Sequence, residues 1–194
     1  MTLSITLPRN LSKWTDLVGN EGRHNLYSVA ANAVQILVRS HLSREAMKRH
    51  FSAFRLNATP TGILSSAARR TTFHATSDYG MVVIPSPAVL RALGPVSITA
   101  KRAQALTIPV NRFSYGHRVS ELAAHGWTIF RPKGKDVLMG SNGKDEEPVA
   151  LYVLKKRVEQ KQDRSLLPSD SDIGTAAARA MVVEIKRVAQ EAAA

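Results

Sequence analysis

Six histidines (His24, His41, His50, His74, His117 and His125) and a sparse set of carboxylates are the side chains here that could move protons or hold a metal. No two of the histidines stand four apart, the spacing that puts two imidazoles on one helix face in an H-E-x-x-H site. Asp145, Glu146 and Glu147 are adjacent in a turn sequence, where solvated charge is the ordinary state. A metal-nuclease or two-carboxylate centre needs acids converging from strands, and the strand sequences are almost free of them. No G-x-S-x-G frames a serine nucleophile. Gly134, Gly140 and Gly143 punctuate turns and do not open a helix, as a phosphate-binding loop would. The chain has no cysteine, which removes disulfides, thiolate zinc sites and a cysteine nucleophile together, and fits a reducing compartment. Neither catalysis nor a bound cofactor or metal is expected.

Charge is the stronger signal. Lys and Arg number 27 against 15 Asp and Glu, a formal net charge of +12. Such a surplus draws polyanions, because each neutralised phosphate releases condensed counterions, but it reads no sequence. Between 155 and 165, Lys155, Lys156, Arg157, Lys161 and Arg164 outnumber Glu159 and Asp163, and apolar residues almost vanish. This stretch predicts an exposed, mobile loop. With Lys101 and Arg102 it supplies the candidate contacts to a polyanion or an acidic partner. Aromatic content is 6%, with no strand that interleaves aromatic and basic residues for base stacking, so contact with DNA backbone is the form considered. No apolar run is long enough to span a membrane. The first residues lack both a basic leader and a long apolar stretch, so no signal peptide is expected.

The elements that must carry these residues follow from periodicity. Interruptions at Pro8, Asn10 and Gly19 predict an extended arm over 1–20, ahead of a single domain over 21–194. From about His24 to Phe54 the period is helical. Leu26, Val29, Ala30, Ala33 and Leu37 form the stripe, Ser28, Asn32, Gln35 and Arg39 lie opposite, and a restart is conceivable at Ser43. A short helix at Ile63 to Arg70 precedes a hairpin of Thr71–Ser77 and Met81–Pro85 about an Asp-Tyr-Gly turn. Helical turns follow over Pro87–Leu93 and near Leu122. The second half is mostly strand: Val96–Thr99 and Ala105–Val110 flank a basic link, and Trp127–Arg131, Val137–Met139 and Val149–Lys155 make a meander joined by Gly- and Asn-bearing turns. Val149–Lys155 is apolar on both parities, which predicts a strand covered on both faces. Ser169 to Asp172 offers oxygens to a helix start, and Ile173, Ala177, Ala180, Met181, Ile185 and Val188 make the stripe of a last helix. The fold class is α+β, a mostly antiparallel sheet packed against a long N-terminal helix and a C-terminal helix.

The run from Arg91 to Val110 (R-A-L-G-P-V-S-I-T-A-K-R-A-Q-A-L-T-I-P-V), followed by Tyr115-Gly116, resembles the phage virion-morphogenesis family, which includes tail-completion proteins of Mu-like phages and related minor tail proteins. There a GG-x-I-x-P-K stretch precedes an L-x-I-P strand and an A-Y-G loop. An L-Y-x-L strand, a basic loop, L-P and an acidic helix cap come later. The counterparts here are Val149 to Leu154, Lys155 to Arg164, Leu167-Pro168 and Asp170 to Asp172. The order spans roughly 22 to 190. Gly94-Pro95 stands where the family has two glycines, and Ala100-Lys101 where it has Pro-Lys. The resemblance implies a non-catalytic virion protein, assembled in the host cytoplasm. It would act in tail completion or head–tail (neck) joining, as a homo-oligomeric ring beside other tail or neck proteins, with non-specific contact to DNA backbone. The alternative from charge alone is a sequence-independent DNA-binding protein.

Overall fold

A computed structural model describes residues 2–5, 19–49, 51–101, 103–143 and 146–193. Helix accounts for 47% and strand for 21%, in separate helices and antiparallel pairings, which is an α+β fold. The chain divides into two compact units: Met1–Ala46 with Ile63–Gly94 and Asp163–Ala194, and Met47–Gly62 with Pro95–Gln162. The division arises because the strands after Pro95 pair among themselves before the chain returns to the first unit at Asp163.

In the first unit, helix α1 (Gly19–Lys48) runs unbroken through Ser43. Its buried seam is Leu26, Tyr27, Ala30, Ala31, Val34, Val38, Leu42 and Ala46. The predicted stripe is therefore rotated: Leu26 and Ala30 are buried, but Val29, Ala33 and Leu37 are only half-buried. Helix α2 (Phe51–Arg55), in the second unit, covers the rest of the region predicted as one helix to Phe54. Back in the first unit, helix α3 (Ile63–Arg70) leads into strand β2 (Thr72–Ala75), then β3 (Gly80–Val83) and helix α4 (Pro87–Ala92). Strand β1 (Thr2–Ile5) pairs with β3 from the other side, giving the order β1-β3-β2. Of the predicted arm over 1–20, Thr2–Ile5 is thus a strand paired within its own chain, and Gly19 and Asn20 open α1. Residues 1 and 6–18 lie outside the described residues.

Polar residues of α1 finish α3. The Gln35 amide donates to Thr71 O at 2.8 Å, and the Arg39 guanidinium donates to Ala68 O and Arg69 O, each at 3.1 Å. A helix end leaves carbonyls without intrahelical partners, and a cation there also meets the negative end of the helix dipole. Helix α6 (Asp170–Ala192) begins at Ser169, whose hydroxyl accepts from Asp172 N at 3.1 Å, the cap that the sequence predicts. Ala177 and Met181 are buried in the same core as Val34, Val38, Val82 and Ile84.

The second unit holds strands β4 (Val96–Thr99), β5 (Leu106–Pro109), β6 (Thr128–Phe130), β7 (Val137–Ser141), β8 (Val149–Lys155) and β9 (Arg157–Gln160), with helix α5 (Val119–Ala124). Four of the strands form one antiparallel sheet in the order β5-β8-β7-β6, and β4 pairs separately with β9. The meander is as predicted, but the basic stretch is not a loop. Arg157–Gln160 pairs antiparallel with Val96–Thr99, Val158 facing Ile98, and Arg164–Leu166 is a turn of 3-10 helix. Alternation explains it: Val158 and Gln160 are half-buried while Arg157 and Glu159 are exposed, the period of a one-sided strand.

Two glycines of the first unit are expected to respond oppositely to Ala. A Cβ at Gly80 would lie 2.9 Å from Tyr27 O and 3.1 Å from the Ala31 Cβ, so strand and helix must separate. Gly80→Ala should lower the stability by about 1–3 kcal/mol. A Cβ at Gly174, inside α6, meets nothing within 4 Å. Gly174→Ala should raise stability by up to about 1 kcal/mol, since Ala loses less backbone entropy in a helix. Urea midpoints measure both, and two shifts of the same sign would contradict this packing.

Candidate functional site

Strand β8 organises the second unit. It pairs with β5 on one edge (Pro109 opposite Tyr152) and with β7 on the other. Leu151 and Tyr152 point to opposite faces yet are 0% and 1% exposed, as the two-parity sequence predicts. The loop after β5 is fastened to this strand. The buried Ser114 hydroxyl donates to Leu151 O at 2.6 Å, and Val110 N donates to the same carbonyl at 3.0 Å. Gly116 then adopts φ +82°, a left-handed turn that an L side chain rarely takes. Past it, the Tyr152 hydroxyl donates to His117 O at 3.0 Å. Burial, and after it the negative charge of Glu121, holds the Tyr152 phenol above the usual tyrosine range.

The predicted cations fall around the end of this strand. Lys155 is the last residue of β8, opposite Leu106, and Lys156 is the bend before β9. Thr99 pairs with Arg157, so Lys101 lies two residues past the end of β4, beside the start of β9 in register. All four of these cations, and Lys161, are exposed and belong to the second unit. Arg164 is exposed in the first unit, and Arg102 lies outside the described residues. Arg157 is bonded to the Glu159 carboxylate, which offsets its charge. Lys155 and Lys156 have no carboxylate partner among the described residues.

Beside those two lysines is a cleft of about 240 Å³ lined by Gln104, Ala105, Arg131, Asp136, Leu154, Lys155 and Lys156. Its far wall is a fixed turn. Lys135 N donates to Pro132 O at 3.1 Å, Gly134 takes φ +75°, and Leu154 N donates to Asp136 O at 2.9 Å. The Arg131 guanidinium clasps the turn, donating to Lys135 O at 2.9 Å and to the Asp136 carboxylate at 2.8 Å. Gln104, Arg131 and Asp136 were not among the sequence candidates, because 27 to 52 residues separate pairs of lining positions such as Gln104 with Arg131 or Gln104 with Lys156, and only strand pairing joins them.

Among the described residues the histidines do not gather into a metal-binding group. His41 Nε2 lies 2.9 Å from Ser165 O, and His24 and His74 are exposed. The His117 and His125 rings meet edge-on at 6.3 Å, with Glu121 3.9 Å from His117. His50 and Asp145 lie outside the described residues. Among the described residues, no three His, Asp or Glu side chains are grouped to hold a metal ion, and no helix is long and apolar enough to cross a membrane. Comparison with models of protein families, with curated proteins and with solved structures finds no match to this chain.

Tyr152→Phe should cost about 0.5–1.5 kcal/mol at neutral pH through the lost bond to His117 O. The raised phenol also fixes a sign. Its stabilisation is fully present below the unfolded value of about 10. It is lost as pH rises through the folded value, because the unfolded chain gives up its proton first. Urea midpoints at pH 8 and pH 11 should therefore fall more steeply for the wild type than for Tyr152→Phe; equal slopes would show that the phenol is not perturbed.

Proposed function

We propose that the chain is a non-catalytic structural protein of a tailed-phage particle, acting in tail completion or head–tail joining. In this reading it works as a homo-oligomeric ring beside other tail or neck proteins, and is assembled in the host cytoplasm. One observation carries it. Of the short motifs that resemble the virion-morphogenesis family, the L-T-I-P strand, the Tyr115-Gly116 loop and the L-Y-V-L strand meet within the second unit: Leu106–Pro109 pairs with β8, Ser114 fastens the loop that leads to Gly116, and Tyr152 closes it. Their polar groups are engaged in holding loop to strand, which suits an architectural role. The surplus of positive charge suits a subunit near packaged or passing DNA, where phosphates are met without base reading.

A second reading, a sequence-independent DNA-binding protein outside any particle, is favoured by the exposed Lys155 and Lys156, which have no carboxylate partner among the described residues. Mass spectrometry of purified particles separates the two. On the first reading the chain is present in fixed stoichiometry, and its deletion yields unjoined heads and tails or unfinished tails under the electron microscope. Particles that lack the chain and infect normally would sink that reading and leave the second.

A further inference from the structure

We propose that the cleft between the start of β5, the end of β8 and the turn at Pro132–Lys135 is a seat for a phosphodiester group of nucleic-acid backbone. The inference rests on reading the exposed cations as polyanion contacts, and it narrows them to one place. Three cations (Arg131, Lys155 and Lys156) and one carboxylate (Asp136) line the cleft, with the Gln104 amide as a neutral donor. Arg131 already neutralises Asp136 at 2.8 Å, so the surplus charge is that of the two lysines. Of the other candidate cations of this unit, Arg157 is held by Glu159, and Lys101 and Lys161 stand outside the lining.

The dimensions agree with this ligand. About 240 Å³ is below the roughly 300–1,000 Å³ of pockets that enclose drug-sized molecules. No aromatic side chain lines the cleft, so nothing in it would stack a base. The walls are preorganised by Leu154 N on Asp136 O and by the Arg131 clasp, so the ligand orders only two lysine side chains. A phosphate on a continuous strand fits better than an acidic side chain, because the cleft offers neighbouring ammonium groups as point charges and no free guanidinium fork for a planar carboxylate.

The test uses the full chain, with inorganic pyrophosphate and a short mixed-sequence DNA duplex as probes. Amide NMR with pyrophosphate should give saturable shifts confined to Gln104, Ala105 and the segment from Leu154 to Lys156. The variant K155Q/K156Q should bind duplex about tenfold more weakly and flatten the dependence of log K on log salt by about 1.8, two contacts at 0.9 each. R69Q/R70Q, which removes the same charge at the end of α3, should change affinity by less than about threefold. Asp136→Asn releases Arg131 to the ligand and should tighten binding. Thermal unfolding of each variant guards against misfolding. Equal losses in the two double variants, or shifts spread over the whole basic surface, would overturn the seat in favour of diffuse charge. Unchanged duplex binding by K155Q/K156Q with failed particle incorporation would overturn it in favour of an acidic protein neighbour. A chain absent from particles that still binds duplex through the cleft would refute the virion reading and uphold this one.

Discussion

The four-stranded sheet of the second unit depends on one strand whose two edges and two faces are all occupied. With β5 and β7 bonded along its edges, β8 has no backbone group to spare at its centre, and Leu151 and Tyr152 fill opposite sides. This requires small neighbours. A Cβ at Gly140 would come within 2.6 Å of Leu151 Cδ1 and 3.2 Å of Thr128 O, so a side chain there would force the buried Leu151 to shift. It also determines where the loops go. Leu151 O accepts from both Val110 N and the Ser114 hydroxyl, so the chain leaving β5 is turned back at once, and Tyr152 secures the far side of the same turn. Lys155 and Lys156, without a carboxylate partner among the described residues, fall at and just past its C-terminal end.

Helix α1 shows what periodicity can and cannot settle. That it is a helix was legible, because apolar residues recur at three and four throughout. Its azimuth was not, because Leu26, Tyr27, Val29, Ala30, Ala31, Ala33, Val34, Ile36, Leu37 and Val38 cover well over half the circumference. The rotation is decided by contacts distant in sequence: Gly80 admits the backbone at Tyr27 and Ala31, while Gln35 and Arg39 are drawn to the end of α3. The flank turned outward, Val29, Ala33 and Ile36, faces Ala176, Ala180 and Val183 of α6 across an open groove. A hydrophobic count alone would have put those residues in the core.

The hairpin of β2 and β3, the meander, the Ser169 cap and the doubly covered β8 were all readable, each from a local rule: turn chemistry, alternation, side-chain capping, parity. Strand β9 was not. Four residues, R-V-E-Q, carry one apolar side chain, and the lysines around them look like solvated loop. The strand exists because β4 lies ready to bond it, with Ile98 opposite Val158. Pairing between residues some sixty positions apart leaves no mark in a window of ten, whereas it decides which charges stand side by side.

The net charge of +12 was equally legible and equally incomplete. Net charge does not say which cations stand beside acids, and several do: Arg131 by Asp136, Arg157 by Glu159, Arg187 by Glu184 and Glu191. Each such pair contributes little to folding, about 0–1 kcal/mol when exposed. Each nevertheless removes a cation from the field that a polyanion feels. Arginine is the residue most readily withdrawn this way, since its fork matches a carboxylate, while the lysine ammonium stays a hydrated point charge. Charge that remains available is therefore concentrated where lysines adjoin without acids, and Lys155-Lys156 meets that condition beside a cleft whose one carboxylate is already neutralised. The local balance of cations and carboxylates, set by strand register, is what turns a basic composition into a place.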